Sequence, residues 1–134
     1  MILTVYRVEH KETRNGPFQT PHPFTQKLAA KVNPKAWPFP SNDGFLLHAI
    51  PFSYVFGCPS IQLLKSLFTF SSDKQEHKRT LKALKQLGFQ VGEFKVRETS
   101  CEVGRSKKQV MFDPFDALEF EEGIRYHDIT TILE

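Results

Sequence analysis

The opening segment Ile2-Leu3-Thr4-Val5-Tyr6-Arg7-Val8 constrains the fold more than any other. Ile2, Thr4, Tyr6 and Val8 alternate onto one side of a strand, and Leu3, Val5 and Arg7 onto the other. A strand with apolar residues on both sides needs cover on both, so this spacing predicts a central strand in a layered fold. The same residues carry no basic leader and no long apolar stretch, so they read as a strand and not as a secretion signal. With 134 residues, the chain has enough length for one domain and too little for two ordinary ones. Its 40% hydrophobic and 25% charged residues exclude a disordered chain. No apolar run reaches the roughly 18 residues of a membrane-spanning helix, so no membrane contact is expected. Two cysteines, Cys58 and Cys101, cannot form a disulfide framework, which makes a reducing cytoplasm the simplest setting.

The elements that follow are mixed. Glu12–Pro23 reads as a loop, with Asn15-Gly16-Pro17 as its turn. Thr25–Lys31 predicts a short helix capped by Thr25 and stopped before Pro34. Asn33–Asp43, with Pro34, Pro38 and Pro40 around Trp37 and Phe39, fits no regular element; loops this long in a small domain are commonly functional. Phe45–Ile50 suits either a short strand or a turn of helix. Ser60–Phe68 predicts a helix capped by Ser60. Asp73–Leu87 predicts another, with Asp73 and Glu76 as a capping box and Gly88 as the stop. Phe89–Glu98 is a strand with a phase break, because Phe89 and Val91 fall on one face and Phe94 and Val96 on the other. Gly92 sits at the break, which predicts a β-bulge. Lys108–Phe112 is its expected hairpin partner, and one more short element is expected near Ile124–Ile129. The order favours an α+β domain with a mixed or antiparallel sheet: N-terminal strand, Pro-rich irregular region, two helices, late β-hairpin and acidic C-terminal segment.

Charge divides this chain unevenly. The net charge is +3, yet residues 1–112 hold 17 Lys/Arg against 8 Asp/Glu, and residues 113–134 hold one basic residue against seven acidic ones. The expected organisation is a basic α+β domain over 1–112 with the acidic 113–134 segment packed on it. Phe115, Leu118, Phe120, Ile124, Tyr126, Ile129 and Ile132 give that segment apolar area worth burying.

Candidate sites follow from side-chain chemistry. Arg7 and His10 leave the first strand, His22 and Asp43 bound the Pro-rich region, and Gln109 lies on the late hairpin. An arginine at a strand end beside irregular loops suits anion recognition, so these five residues form a candidate ligand pocket. The bland alternative is scaffolding, with Arg7 paired to Glu9 or a carbonyl and His22 and Asp43 fixing turns. Lys74, Lys78, Arg79, Lys82 and Lys85 share a helix face that could track nucleic-acid phosphates or meet a partner, although a solvated face is the simpler reading. His10, His22, His48, His77 and His127 show no metal-ligand spacing, so no metal is expected. Cys58 stands just before a helix, where a thiol could be activated, but a small buried residue at a turn is the simpler reading. Phosphate-loop and dinucleotide fingerprints are absent, so no cofactor is expected.

Tyr6-Arg7-Val8-Glu9-His10 followed by Gly16-Pro17-Phe18 resembles the opening of a group of small bacteriophage and prophage proteins. His22-Pro23, Asp43-Gly44, Phe56-Gly57-Cys58-Pro59-Ser60, Leu87-Gly88-Phe89 and Gln109-Val110-Met111-Phe112 extend the likeness to about residue 113. The resemblance implies a phage accessory protein in the cytoplasm of a bacterial host. Such proteins often counter bacterial defences, as anti-CRISPR proteins do, by binding a host protein or protein–nucleic-acid complex. A second, weaker likeness is to ADP-ribosyltransferases, which hold NAD with an Arg or His on an early strand; it implies a nucleotide-binding enzyme or sensor around Arg7. There Gln109 stands where a catalytic Glu would be expected. Whether the chain catalyses a reaction is left open by these residues.

Overall fold

The computed structural model describes residues 1–19, 22–32, 40–46, 50–51 and 53–134. His48, Trp37 and the core of the Pro-rich loop lie outside the described residues, as does the middle of Phe45–Ile50. Among the described residues, two three-stranded antiparallel sheets and four α-helices make an α+β fold, as the element order predicts. The first sheet runs β1 (Ile2–His10), β3 (Phe89–Arg97), β6 (Ile124–His127), and the second runs β2 (Val55–Gly57), β5 (Val110–Phe112), β4 (Glu102–Val103). Among the described residues no helix is long and apolar enough to cross a membrane.

Two sequence expectations about the strands change here. The central strand is β3, and β1 lies at the sheet's edge. Reciprocal bonds between Tyr6 and Cys58 (N···O 2.8 and 2.7 Å) join that edge to the second sheet. Likewise β3 does not form a hairpin with Lys108–Phe112. It pairs with β1 and β6, while β5 pairs with β4 and β2. The short turn Gly104-Arg105-Ser106 returns the chain to β5, leaving β3 free to take the sequence-distant N-terminus.

The phase break in β3 is no bulge. Its pairing with β1 runs unbroken from His10↔Phe89 through Arg7↔Gly92 to Ile2↔Arg97. What switches is the face that is buried. Val8, Phe89 and Val91 point into a core built with Leu64, Leu67, Phe68, Leu81, Leu84, Ile129 and Leu133. Val5, Phe94 and Val96 point the other way, into a smaller core with Val110, Phe112 and Ala117. Because side chains alternate along a strand, a continuous strand serving two cores on opposite sides must shift its apolar set by one residue. Gly92 stands at that crossing beneath the Phe94 ring, where a Cβ would meet Phe94 Cε2 at 2.6 Å.

Helices close the larger core: α1 (Pro23–Ala30), α2 (Ile61–Leu67), α3 (Lys74–Gln86) and α4 (Ile129–Leu133). Ser60 and Asp73 cap α2 and α3, accepting from Leu63 N at 3.2 Å and Gln75 N at 2.9 Å. The capping box with Glu76 does not form, because the Asp73 N–H already donates to Ser71 Oγ at 3.1 Å. Helix α1 begins earlier than predicted. His22 caps it through Nδ1, and Thr25 instead donates its hydroxyl to His22 O. Gly88 ends α3 at φ +100°, a conformation that favours glycine. The 113–134 segment supplies β6 and α4, with Ile129 and Leu133 fully buried. Ion pairs Lys85–Asp128 (2.6 Å) and Lys78–Glu134 (3.3 Å) tie it to α3.

Gly92→Ala is expected to destabilise the fold by about 1–3 kcal/mol, the usual cost of overpacking. The Phe94 ring cannot yield, since it is buried and packs on Phe112 with centroids 5.2 Å apart. Denaturant unfolding checks this; an unchanged or raised midpoint would refute the packing account.

Candidate functional site

Arg7 sits on the face of β1 that carries Val5, just beyond the point where the smaller core ends. Its guanidinium is buried and reaches two separate segments, donating from Nη1 to Phe56 O at 2.9 Å and from Nη2 to Arg14 O at 3.2 Å. Glu9, two residues on and on the same face, brings Oε1 to 3.8 Å from Arg7 Nε, while Arg14 holds its other oxygen at 3.2 Å. Burial pulls Arg7 below its ordinary basicity and Glu9's charge opposes that. Burial raises the Glu9 carboxyl, against the charges of Arg7 and Arg14. Gly16 lies against the guanidinium, where a Cβ would stand 3.6 Å from Nη2, an ordinary contact distance. Arg7 therefore pins β2 and the 11–16 loop to β1 and carries its counter-charge with it.

Asp43 and Gln109 form a second buried unit. Asp43 ends the 310 turn Pro40–Asp43, and Gln109 immediately precedes β5. Asp43 accepts from the Ser106 N–H at 2.6 Å, the Ser106 hydroxyl at 2.8 Å and the Gln109 amide at 2.9 Å. Burial alone would raise its carboxyl, but the Ser106 backbone bond, the Gln109 and Ser106 side-chain bonds and the charge of Arg105 together hold it below the ordinary value. Gly104 makes this possible, since a Cβ there would lie 2.0 Å from Asp43 Oδ2. Sequence reasoning missed Ser106 and Arg14. The only hint of the first was a Gly-Arg-Ser turn placed to receive a carboxylate.

Arg7 and Gln109 line one cavity of about 740 Å³, with Asp43 bonded behind Gln109. The walls are mainly apolar: Val8, Pro17, Phe18, Val32, Tyr54, Phe56, Leu64, Leu67 and Phe68 among them. Phe18 stacks on Phe68 with ring centroids 5.7 Å apart and stands partly exposed. Such a lining suits an apolar or aromatic guest.

The other candidates lie elsewhere. His10 accepts at Nδ1 from Glu12 N and Thr13 N, so its proton is on Nε2, which donates to Leu87 O at 2.9 Å; the ring joins β1 to the end of α3. His22 is the α1 cap. Neither lines the cavity. Of the basic helix face, Lys78 and Lys85 are paired to the acidic segment, while Lys74, Arg79 and Lys82 make no ion pair among the described residues. Cys58 is buried in the cavity wall, and burial pushes its thiol far up; burial also lifts Cys101, to about 11, with help from Asp116 and Glu98. Both thiols are thus held in the unreactive protonated form. Among the described residues no His, Cys, Asp or Glu group could hold a metal ion.

Asp43→Ala orphans three donors and is expected to cost about 2–3 kcal/mol at neutral pH. Because the folded carboxyl titrates below its unfolded value of about 4, the stability it contributes is complete above that pH and is lost as pH falls through the folded value. The gap between wild type and variant in urea unfolding should therefore narrow below about pH 4; a gap that widens on acidification would contradict the assignment.

Residues 1–123 match a protein-family model described as Bacteriophage T4 Y00F protein. The match runs about ten residues further into the acidic segment than the motif likeness did. No curated protein and no solved structure matches the chain. The likeness to ADP-ribosyltransferases finds no support in these matches, and the bonds made by Arg7 and Gln109 give it none. With its opening strand, its cavity and nearly its whole length inside the match, the chain belongs to the bacteriophage T4 Y00F protein family.

Proposed function

We propose that this phage protein acts by binding, as an anti-CRISPR-like accessory protein that inhibits a bacterial defence system by docking on a host protein or protein–nucleic-acid complex. The observation that carries this reading is the apolar cavity whose Arg7 guanidinium and Gln109 amide N–H are already bonded to protein groups. Arg7 is spent on two carbonyls and Glu9, and Gln109 donates to Asp43, so the wall offers grip to an apolar anchor and little to an anion. Phe18, exposed at the wall and stacked on Phe68, is the side chain a partner would meet. Membership in a phage family supplies the biological setting. The site is cytoplasmic in this reading, since the targets are intracellular complexes.

The same facts weigh against the two competing readings. A nucleotide or NAD would need Arg7's charge, which Glu9 offsets. A nucleic acid would need the α3 face, part of which is neutralised by Asp128 and Glu134.

Expressing the protein in bacteria whose defence system targets a test phage is expected to restore plaque formation. Phe18→Asp, at equal soluble level, should abolish the rescue by placing a charge on the apolar wall. Failure of wild type to rescue against any defence system tried, or calorimetric binding of NAD that Arg7→Ala removes, would overturn the proposal.

A further inference from the structure

A second surface, apart from the cavity, is built on the 310 helix Pro114–Glu119. With three residues per turn, its side chains fall into three stacked rows. Ala117 points inward and is fully buried in the smaller core. Asp116 and Glu119 both hold Arg97. Asp116 accepts from the Arg97 N–H at 2.7 Å and from Nη1 at 2.9 Å, and Glu119 takes Nη2. The guanidinium in turn lies 5.6 Å over the Phe120 ring. Asp113 caps the helix, accepting from Phe115 N at 3.0 Å. The remaining row is Phe115 and Leu118, which are 64% and 67% exposed.

One exposed leucine means little; two large apolar side chains eclipsed on a capped and clamped element form a preorganised anchor pair. Preorganisation lowers the ordering cost of docking. The charge around the pair selects its partner. Asp113–Glu122 carries five carboxylates and no base. Arg97 answers Asp116 and Glu119, and Arg125 answers Glu122, but Asp113 and Glu121 make no ion pair among the described residues. This acidic rim stands on a body whose residues 1–112 are strongly basic, so a positively charged partner is drawn to this end and repelled from the rest.

We infer that Phe115 and Leu118 form a docking ridge for a protein surface with an apolar recess rimmed by lysine or arginine. Nucleic acid and acidic surfaces are excluded by the sign of the rim. The inference does not rest on the cavity, since none of these residues lines it.

The probe is a fluorescent amphipathic peptide of alternating leucine-rich and lysine-rich faces, read by anisotropy at low salt. Two controls accompany it: the same peptide with Glu for Lys, and with Ser for Leu. Wild type should bind the Leu/Lys peptide, and Phe115→Ser/Leu118→Ser should weaken that binding at least about ten-fold while leaving the melting temperature unchanged. Glu121→Lys should weaken it and flatten its salt dependence, whereas Phe18→Asp should not move it. Backbone amide shifts on binding should centre on 113–122. Equal binding by the double variant, equal binding of the Glu peptide, shifts centred elsewhere, or wild-type self-association that the double variant abolishes would each overturn the inference. The last outcome would assign the ridge to a second copy of this chain.

Discussion

Everything in this molecule is arranged around the need of one strand to serve two cores. β3 buries Phe89 and Val91 beneath the helices and Phe94 and Val96 against the second sheet, with Gly92 as the pivot. A three-stranded sheet has little area, and a domain of this size must draw burial from both of its faces. The two cores lie on opposite faces and toward opposite ends, so each face of the sheet is apolar for only part of its length. Arg7 and Glu9 occupy the part of that face, begun by Leu3 and Val5, that lies beyond the smaller core and is buried under β2 and the 11–16 loop. Their position is thus a by-product of how the cores are divided, and it explains why a guanidinium sits where a strand otherwise wants an aliphatic side chain.

That geometry changes what the polar residues mean. An arginine, an aspartate and a glutamine gathered near one cavity look like the makings of chemistry. Here each is bonded to protein groups: Arg7 to the carbonyls of Phe56 in β2 and of Arg14, and Asp43 to Ser106 and to Gln109. Buried polar groups in this state hold irregular chain in place, and a lone survivor of such a network would be strongly destabilising. The cavity they frame is left with an apolar character.

Local signals were readable in the sequence and long-range pairing was not. Ser60 and Asp73 announce their helices because capping depends on residues within one turn, and Gly88 announces a stop for the same reason. The out-of-step pairs Phe89/Val91 and Phe94/Val96 were visible as a break. A bulge and a change of buried face leave the same trace in a single strand, and only the partner's register, supplied by the sequence-distant β1, separates them. The late hairpin forms, but between β4 and β5: β3 takes β1 on one edge and β6 on the other, so Lys108–Phe112 pairs elsewhere. Arg7, Asp43 and Gln109 stood out by residue type. Their roles turned on Phe56 O, Arg14 O and Ser106, contacts that no spacing rule encodes.

The acidic segment illustrates how one stretch of charge can do opposite jobs along its length. At its far end, Asp128 and Glu134 are spent on Lys85 and Lys78, and the apolar Ile129 and Leu133 go into the main core. Nearer its start, Asp116 and Glu119 are spent on Arg97, yet Phe115 and Leu118 are turned outward. The difference lies in helix type. An α-helix such as Ile129–Leu133 spaces its apolar residues to fall on one inward stripe, whereas three residues per turn separate inward, clamped and outward rows into three directions. A short 310 helix can therefore be fully anchored and still present a hydrophobic edge, something an amphipathic α-helix of the same composition would bury.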